Sequence, residues 1–188
     1  MPSRSEHRRQ TLLTLSRAST DAFEEHGTNA TIDDIAKRAG MSRRTVHRWV
    51  EARDDLVFIH PRLWLEYFDE AIAEVPGEPV RARILHGARR VSEAIDADPE
   101  PVVRSMQVAM ANPSLMRGYA VVSQQWIDRM ASEFLRDSPD DHFRARVLGG
   151  ALMGVIDAAL SEWLMTTPRP ELFGLISTGL DLLNPILE

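Results

Sequence analysis

TIDDIAKRAGMSRRTVHRW, Thr31 to Trp49, is the stretch on which the reading of the fold turns. It contains two short helical runs, Ile32 to Ala39 and Arg43 to Trp49, separated by Gly40. Glycine suits that position because the chain needs a left-handed or otherwise tight turn there. Two helices joined so closely must pack against each other, which sets residue sizes at fixed spacings. Ala36 falls on the inner face of the first run, where a larger side chain would push the second away. Ile35, Ala39, Met41, Val46 and Trp49 supply the apolar contacts. Thr31 precedes Ile32-Asp33-Asp34 and can cap the first run, with both acids near the positive end of its dipole.

With Ile32 as position one, Ala stands at five, Gly at nine and Val at fifteen. This is the helix-turn-helix pattern. The second run opens Ser42-Arg43-Arg44-Thr45 and continues His47-Arg48, polar residues turned away from Val46 and Trp49. In a helix-turn-helix that outer face enters the major groove, where arginine can bridge guanine O6 and N7. The bland alternative is a surface helix with solvated arginines.

Charge supports the first reading once it is divided along the chain. The net charge is −6, unfavourable for a nucleic-acid binder. Residues 1–56, however, hold ten basic side chains against nine acidic, so the acidic excess lies entirely in the remainder. Within the first segment Lys37, Arg38, Arg43, Arg44, Arg48 and Arg53 cluster. Arg4, Arg8 and Arg9 are either an N-terminal arm or a solvated terminus.

Working outward, helical periodicity dominates, and no run of alternating β-branched residues suggests a strand. Gly and Pro punctuate about nine helices. They are expected near residues 5–26, 32–39, 43–49, 54–75 (bent at Pro61), 80–97, 101–111, 113–136, 140–165 and 170–183. The expected fold is all-α. The absence of cysteine excludes disulfides, thiolate metal sites and cysteine nucleophiles. The opening MPSRSEHRRQ lacks an apolar stretch behind its charges, so no secretory signal is read there. Val147 to Leu160, the longest weakly charged stretch, contains Asp157 and is too short to cross a bilayer. The expectation is a cytoplasmic protein with no membrane partner.

No catalytic constellation emerges after Asp54. His60, His86 and His142 are scattered without the i+4 partners of a helical metal site. No metal, cofactor or enzymatic activity is therefore expected. Asp157 is either a paired helix residue or a polar group in a ligand pocket.

The stretch Leu15, Ala18, Phe23, Gly27, Thr31, Ile32, Asp34-Ile35-Ala36, Ala39-Gly40-Met41-Ser42, Thr45-Val46 and Arg53-Asp54-Asp55-Leu56 resembles the N-terminal domain of the TetR family. That resemblance implies a DNA-binding segment, 1–52, and a helical effector-binding and dimerisation segment, 53–188. It implies that Thr31 and Arg53 touch phosphate, and that Arg43, Arg44, Thr45 and Arg48 meet bases or groove edges beside Ser42 and His47. The chain departs from the family at His47, where Tyr is usual, at Val50 for Phe and at Arg53 for Lys. The connection Thr28-Asn29-Ala30 is about one residue short. His47 and Arg53 can still bind phosphate.

TetR-like proteins dimerise through their last two long helices, and two apolar stripes between 140 and 165 fit that, one for the core and one for a partner. Gly150 and Gly154 would permit close approach, with Trp163, Ile176 and Leu180 as further interface residues; the alternative is a fully buried helix of a monomer. Trp64, Phe68, Trp126 and Met130, with Met106, Met110 and Tyr119, suggest an elongated pocket in a regulator of this type. Met and aromatic residues at helical spacing are also ordinary core. The function implied is a homodimeric repressor released from palindromic double-stranded operator DNA by a small apolar effector. An effector-independent regulator or activator is the second reading, and an all-helical enzyme or carrier a remote third.

Overall fold

The computed structural model describes residues 4–50 and 53–183. Among them the chain is all-α, as expected, with no strand. The helices are α1 (Arg4–His26), α2 (Ile32–Ala39), α3 (Arg43–Trp49), α4 (Ile59–Glu74), α5 (Val80–Ala97), α6 (Glu100–Ala111), α7 (Met116–Asp137), α8 (His142–Met165) and α9 (Leu172–Leu182). Short 3-10 turns occupy Gly27–Asn29 and Arg53–Phe58.

Local chemistry sets these ends. The Thr31 hydroxyl accepts from the Asp34 N–H at 3.1 Å, and the Asp34 carboxylate accepts from the Thr31 N–H at 2.9 Å, a reciprocal capping box. Gly40 closes α2 at φ +65°, in the left-handed region. Its N–H and that of Met41 return to the Lys37 and Ala36 carbonyls, satisfying two groups the helix would otherwise leave open.

One expectation is corrected. The α-helix expected from residue 54 begins only at Ile59, so Pro61 lies near its start rather than inside a long helix. The preceding residues form the 3-10 turn instead, so Pro61 lies in the first helical turn, where its missing N–H costs nothing.

The chain packs as two compact units. Met1–Leu63 and Glu100–Val122 make the first, Trp64–Pro99 and Ser123–Glu188 the second. This packing border differs from the functional division expected at residue 52, since α6 and the start of α7 join the N-terminal segment. Arg104 of α6 explains part of the attachment. Its guanidinium donates to Asp21 of α1 at 2.7 Å and to Glu24. Those two carboxylates, Glu24 foremost, hold it charged even more firmly than an ordinary arginine. Gly118 of α7 lies against Phe58, where an added Cβ would stand 2.7 Å from the ring. Leu15, Phe23, Ile35, Val46, Leu56 and Leu115 fill the core of this unit.

The second unit is centred on Phe68, Met130, Leu152, Trp163 and Leu172, all buried. A polar network runs through it that sequence reading did not anticipate. Glu133 of α7, 2% exposed, accepts from Arg83 of α5 at 2.9 Å, from Arg129 at 2.8 Å and from Arg136 at 3.0 Å. Arg129 also pairs with Asp69 of α4. Burial pushes the Glu133 carboxyl up, but hydrogen bonds from Arg129 and Arg83 outweigh it and hold the group below its ordinary value.

Helix α8 matches the expected range 140–165 to within two residues. At 24 residues it is long and apolar enough to cross a membrane by length and composition alone. Here it packs within the second unit instead. Gly149 approaches α7 so closely that a Cβ would stand 2.6 Å from the Ile127 carbonyl oxygen.

Candidate nucleic-acid interface

The interface is built on α3, whose sequence buries one side and leaves the other bare. Val46 is fully buried, whereas Arg43, Arg44, His47 and Arg48 are exposed. Ser42 is the N-cap: its hydroxyl accepts from the Thr45 N–H at 3.1 Å and lies 2.8 Å from the Thr45 hydroxyl. Both hydroxyls are therefore occupied at the helix start, with Thr45 half-buried. Arg43 reaches back to Asp33 of α2 at 3.5 Å, an exposed pair of small energetic weight. The Arg48 guanidinium lies over the Trp49 ring, 5.7 Å from its centroid. Thr31 is exposed at the start of α2, while Arg38 is paired with Glu25 of α1.

Arg53 is placed differently from its expected phosphate role. Its Nη1 donates to the carbonyls of Thr28 and Ala30, both at 2.7 Å, and its Nε to Asp54 at 2.8 Å. Its guanidinium also stacks 5.1 Å from the Phe23 ring centroid. The side chain thus clasps the connection between α1 and α2. A lysine could not bridge these acceptors in one plane; a guanidinium has five donors in a fixed fork. The Lys-to-Arg departure was the one sequence signal for this clasp.

The residues expected around an effector fall into the two units. Trp64, Phe68, Trp126 and Met130 belong to the second and are buried. Phe68 and Trp126 meet edge-on with centroids 5.5 Å apart, and Arg129 covers Phe68 at 5.8 Å. Met106, Met110 and Tyr119 belong to the first. Tyr119 packs on Phe58 at 6.1 Å, Met106 is half-buried and Met110 is exposed. A cavity of about 10 Å³ lies among Val80, Ile84, Phe134, Leu152 and Leu180 in the second unit. It has room for a water, not an effector, and none of the seven residues lines it.

Of the expected interface residues, Gly150 is half-buried and Gly154 exposed, and a Cβ on either would meet nothing within 4 Å. Trp163, Ile176 and Leu180 face inward, a correction to the reading of the stripes. The Trp163 indole N–H donates to Asp96 of α5 at 3.0 Å, and the other Asp96 oxygen accepts from the Leu172 N–H at 3.2 Å. The outward stripe of α8 is instead Phe143, Val147, Gly150, Gly154, Ala158 and Met165. Phe143 and Met165 are each more than 80% exposed.

A family model described as "Bacterial regulatory proteins, tetR family" matches residues 15–57. That span runs from the α1 core through the helix-turn-helix to the Arg53 clasp. The MftR protein of Mycobacterium tuberculosis, named as a transcriptional regulator of mycofactocin biosynthesis, is 26% identical over 187 residues. The match covers 90% of this chain and 91% of that protein. Residues 15–57 of this chain are thus similar to the N-terminal segment of the TetR family. Solved structures agree in fold with this chain. The fatty acid degradation regulator FadR from Bacillus halodurans has a TM-score of 0.64 at 16% identity, covering 94% of each chain. Thermus thermophilus FadR, a TetR-family repressor in complex with lauroyl-CoA, has a TM-score of 0.63 at 19% identity. It covers 94% of this chain and 93% of that one. The matched segment, residues 15–57, contains the helix-turn-helix of α2 and α3 and is similar to bacterial regulatory proteins.

Proposed function

We propose that this chain is a homodimeric repressor that leaves a palindromic operator when a small apolar effector binds. The observation that carries the DNA side of this reading is the bare outer face of α3, on which Arg44, His47 and Arg48 stand exposed opposite a buried Val46. Residues 1–52 read DNA in this scheme, and residues 53–188 sense the effector and dimerise, in the cytoplasm. The occupant of the outward α8 stripe is a second copy. An apolar helix face with two uncovered glycines accepts an identical face across a two-fold axis, and such an axis demands a palindrome with half-sites about 34–36 Å apart.

The effector is of an apolar class, supported by the aromatic cluster around Phe68 and Trp126 and by the lauroyl-CoA in the Thermus thermophilus repressor. Binding must favour a conformation that DNA does not, since a ligand fitting both states equally shifts nothing. The close packing of Trp64, Phe68, Trp126 and Met130 favours a second reading, a regulator without an effector.

Operator affinity measured with and without lauroyl-CoA separates the two. Release should lower affinity roughly 5–150-fold, a coupling of about 1–3 kcal/mol; tight lauroyl-CoA binding with unchanged operator affinity would sink the release mechanism. Gly154→Leu should shift the protein to monomers by sedimentation, and a dimer of unchanged stability in that variant would remove the α8 stripe from the interface.

A further inference from the structure

We infer that Arg44 and Arg48 read two guanines in each operator half-site, about two base steps apart, an inference that rests on the DNA-binding reading above. The fold sorts the basic cluster of the helix-turn-helix into side chains it uses and side chains it leaves. Arg38 is held by Glu25 and Arg53 is taken up by Thr28, Ala30 and Asp54, while Arg43 keeps a weak exposed contact that draws it back toward Asp33 of α2. Ser42 and Thr45, the hydroxyl-bearing candidates, are bound to one another at the start of α3. Arg44, His47 and Arg48 remain on its outward face, all exposed.

Chemistry then narrows what two of these can read. A guanidinium offers only donors, in a planar fork. In the major groove guanine alone presents two adjacent acceptors, O6 and N7, to such a fork. Adenine sets a donor beside its acceptor, cytosine offers a donor, and thymine a single acceptor beside a methyl group. Arg44 and Arg48 are four residues apart, so they share one side of α3 with an axial offset of about 6 Å. Stacked bases repeat about every 3.4 Å along a strand, so groups offset by that much meet bases about two steps apart. Contact with the Trp49 ring also restricts the swing of the Arg48 guanidinium, so less freedom is lost when it engages a base. His47, between the two in sequence, has one short ring and is left for the backbone.

The test is enrichment of random-sequence duplexes on the full-length protein, followed by sequencing of the bound pool. The expected half-site carries two guanines about two steps apart. Arg44→Ala should relax the preference at one guanine and Arg48→Ala at the other, each weakening affinity roughly 5–150-fold. Arg48→Gln should lose the guanine preference in favour of adenine, whose N6 donor and N7 acceptor suit an amide, an altered preference that a mere charge contact would not show. Replacing either guanine by 7-deazaguanine, which lacks the N7 acceptor, should weaken wild-type binding and leave the matching alanine variant unaffected. An enriched half-site without the guanine pair, or one unchanged in both alanine variants, overturns this inference and leaves DNA binding standing. A pool with no enrichment overturns both. Unchanged thermal unfolding of the variants, expected for exposed side chains, guards against misfolding as the cause.

Discussion

The helix-turn-helix and the second unit handle arginine in opposite ways. In the second unit Arg83 is 3% exposed and locked to Glu133, with Arg129 and Arg136 on the same carboxylate. In the helix-turn-helix Arg44 and Arg48 stand exposed, while Arg43 makes only a 3.5 Å surface pair. The same side chain is a structural part in one place and a free group in the other. Burial decides which, because an ionised group out of water persists only when paired and hydrogen-bonded. Functional arginines are therefore found by subtraction: those the fold has not taken up are available to a partner.

The largest effect should come from breaking the buried side of that comparison. Glu133→Ala leaves Arg83 inside the second unit without its carboxylate, which should cost about 3–5 kcal/mol. Asp33→Ala removes the exposed partner of Arg43 and should cost about 0–1 kcal/mol. Urea unfolding of the two variants measures the contrast. Equal losses would mean that the Glu133 network is no more structural than the surface pair.

The two regions were also unequally legible in the sequence. The helix-turn-helix is governed by short-range rules: Thr31 with Asp34, Gly40 in a left-handed turn, Ser42 with Thr45. Such partners lie three residues apart, so residue types in order reveal them, and the ends of α2 and α3 follow directly. Arg83 and Glu133 are 50 residues apart, and nothing local marks either as buried. Trp163 shows the same limit. Its stripe on α8 and the stripe through Gly150 are similarly apolar, and the inward placement of Trp163 involves Asp96, 67 residues away. The late start of α4 was hidden for another reason, since the residues before Ile59, Arg53 among them, form a 3-10 turn. Among the DNA candidates the sequence placed Arg44, His47 and Arg48 on the side of α3 that the structure leaves exposed. It could not tell a free arginine from a committed one.

Arg53 tests that distinction inside the helix-turn-helix itself. Arg53→Ala frees two backbone carbonyls and a carboxylate at once, and should destabilise the protein by about 1–3 kcal/mol. Arg53→Lys should recover only part of the loss, because an ammonium cannot reproduce the fork. Thermal unfolding without DNA gives the readout. If Arg53→Ala unfolds like wild type and loses only DNA affinity, Arg53 is a free group after all, and the sorting of arginines by internal contacts fails at this position.

The smallest effect concerns the start of α2, where the polar contacts are wholly exposed. The Thr31 hydroxyl, followed by the Thr31 N–H, holds the Asp34 carboxyl below its ordinary value. A carboxylate depressed in the folded state stabilises the fold fully above its unfolded value, near about 4. That contribution fades as pH falls through the lower folded value. Thr31→Ala removes the hydroxyl and should cost about 1 kcal/mol at neutral pH, the usual worth of an N-cap. Its stability should then change less than wild type between neutral pH and the acid limb, so the two curves converge on acidification. Asp34→Asn should behave alike, with a residual acid dependence from Glu25, which Arg38 also holds below its ordinary value. Parallel curves for wild type and both variants would mean that the capping box is not formed in solution. The opening of α2, and with it the placement of α3, would then rest on packing of Ile35, Ala36 and Val46 alone.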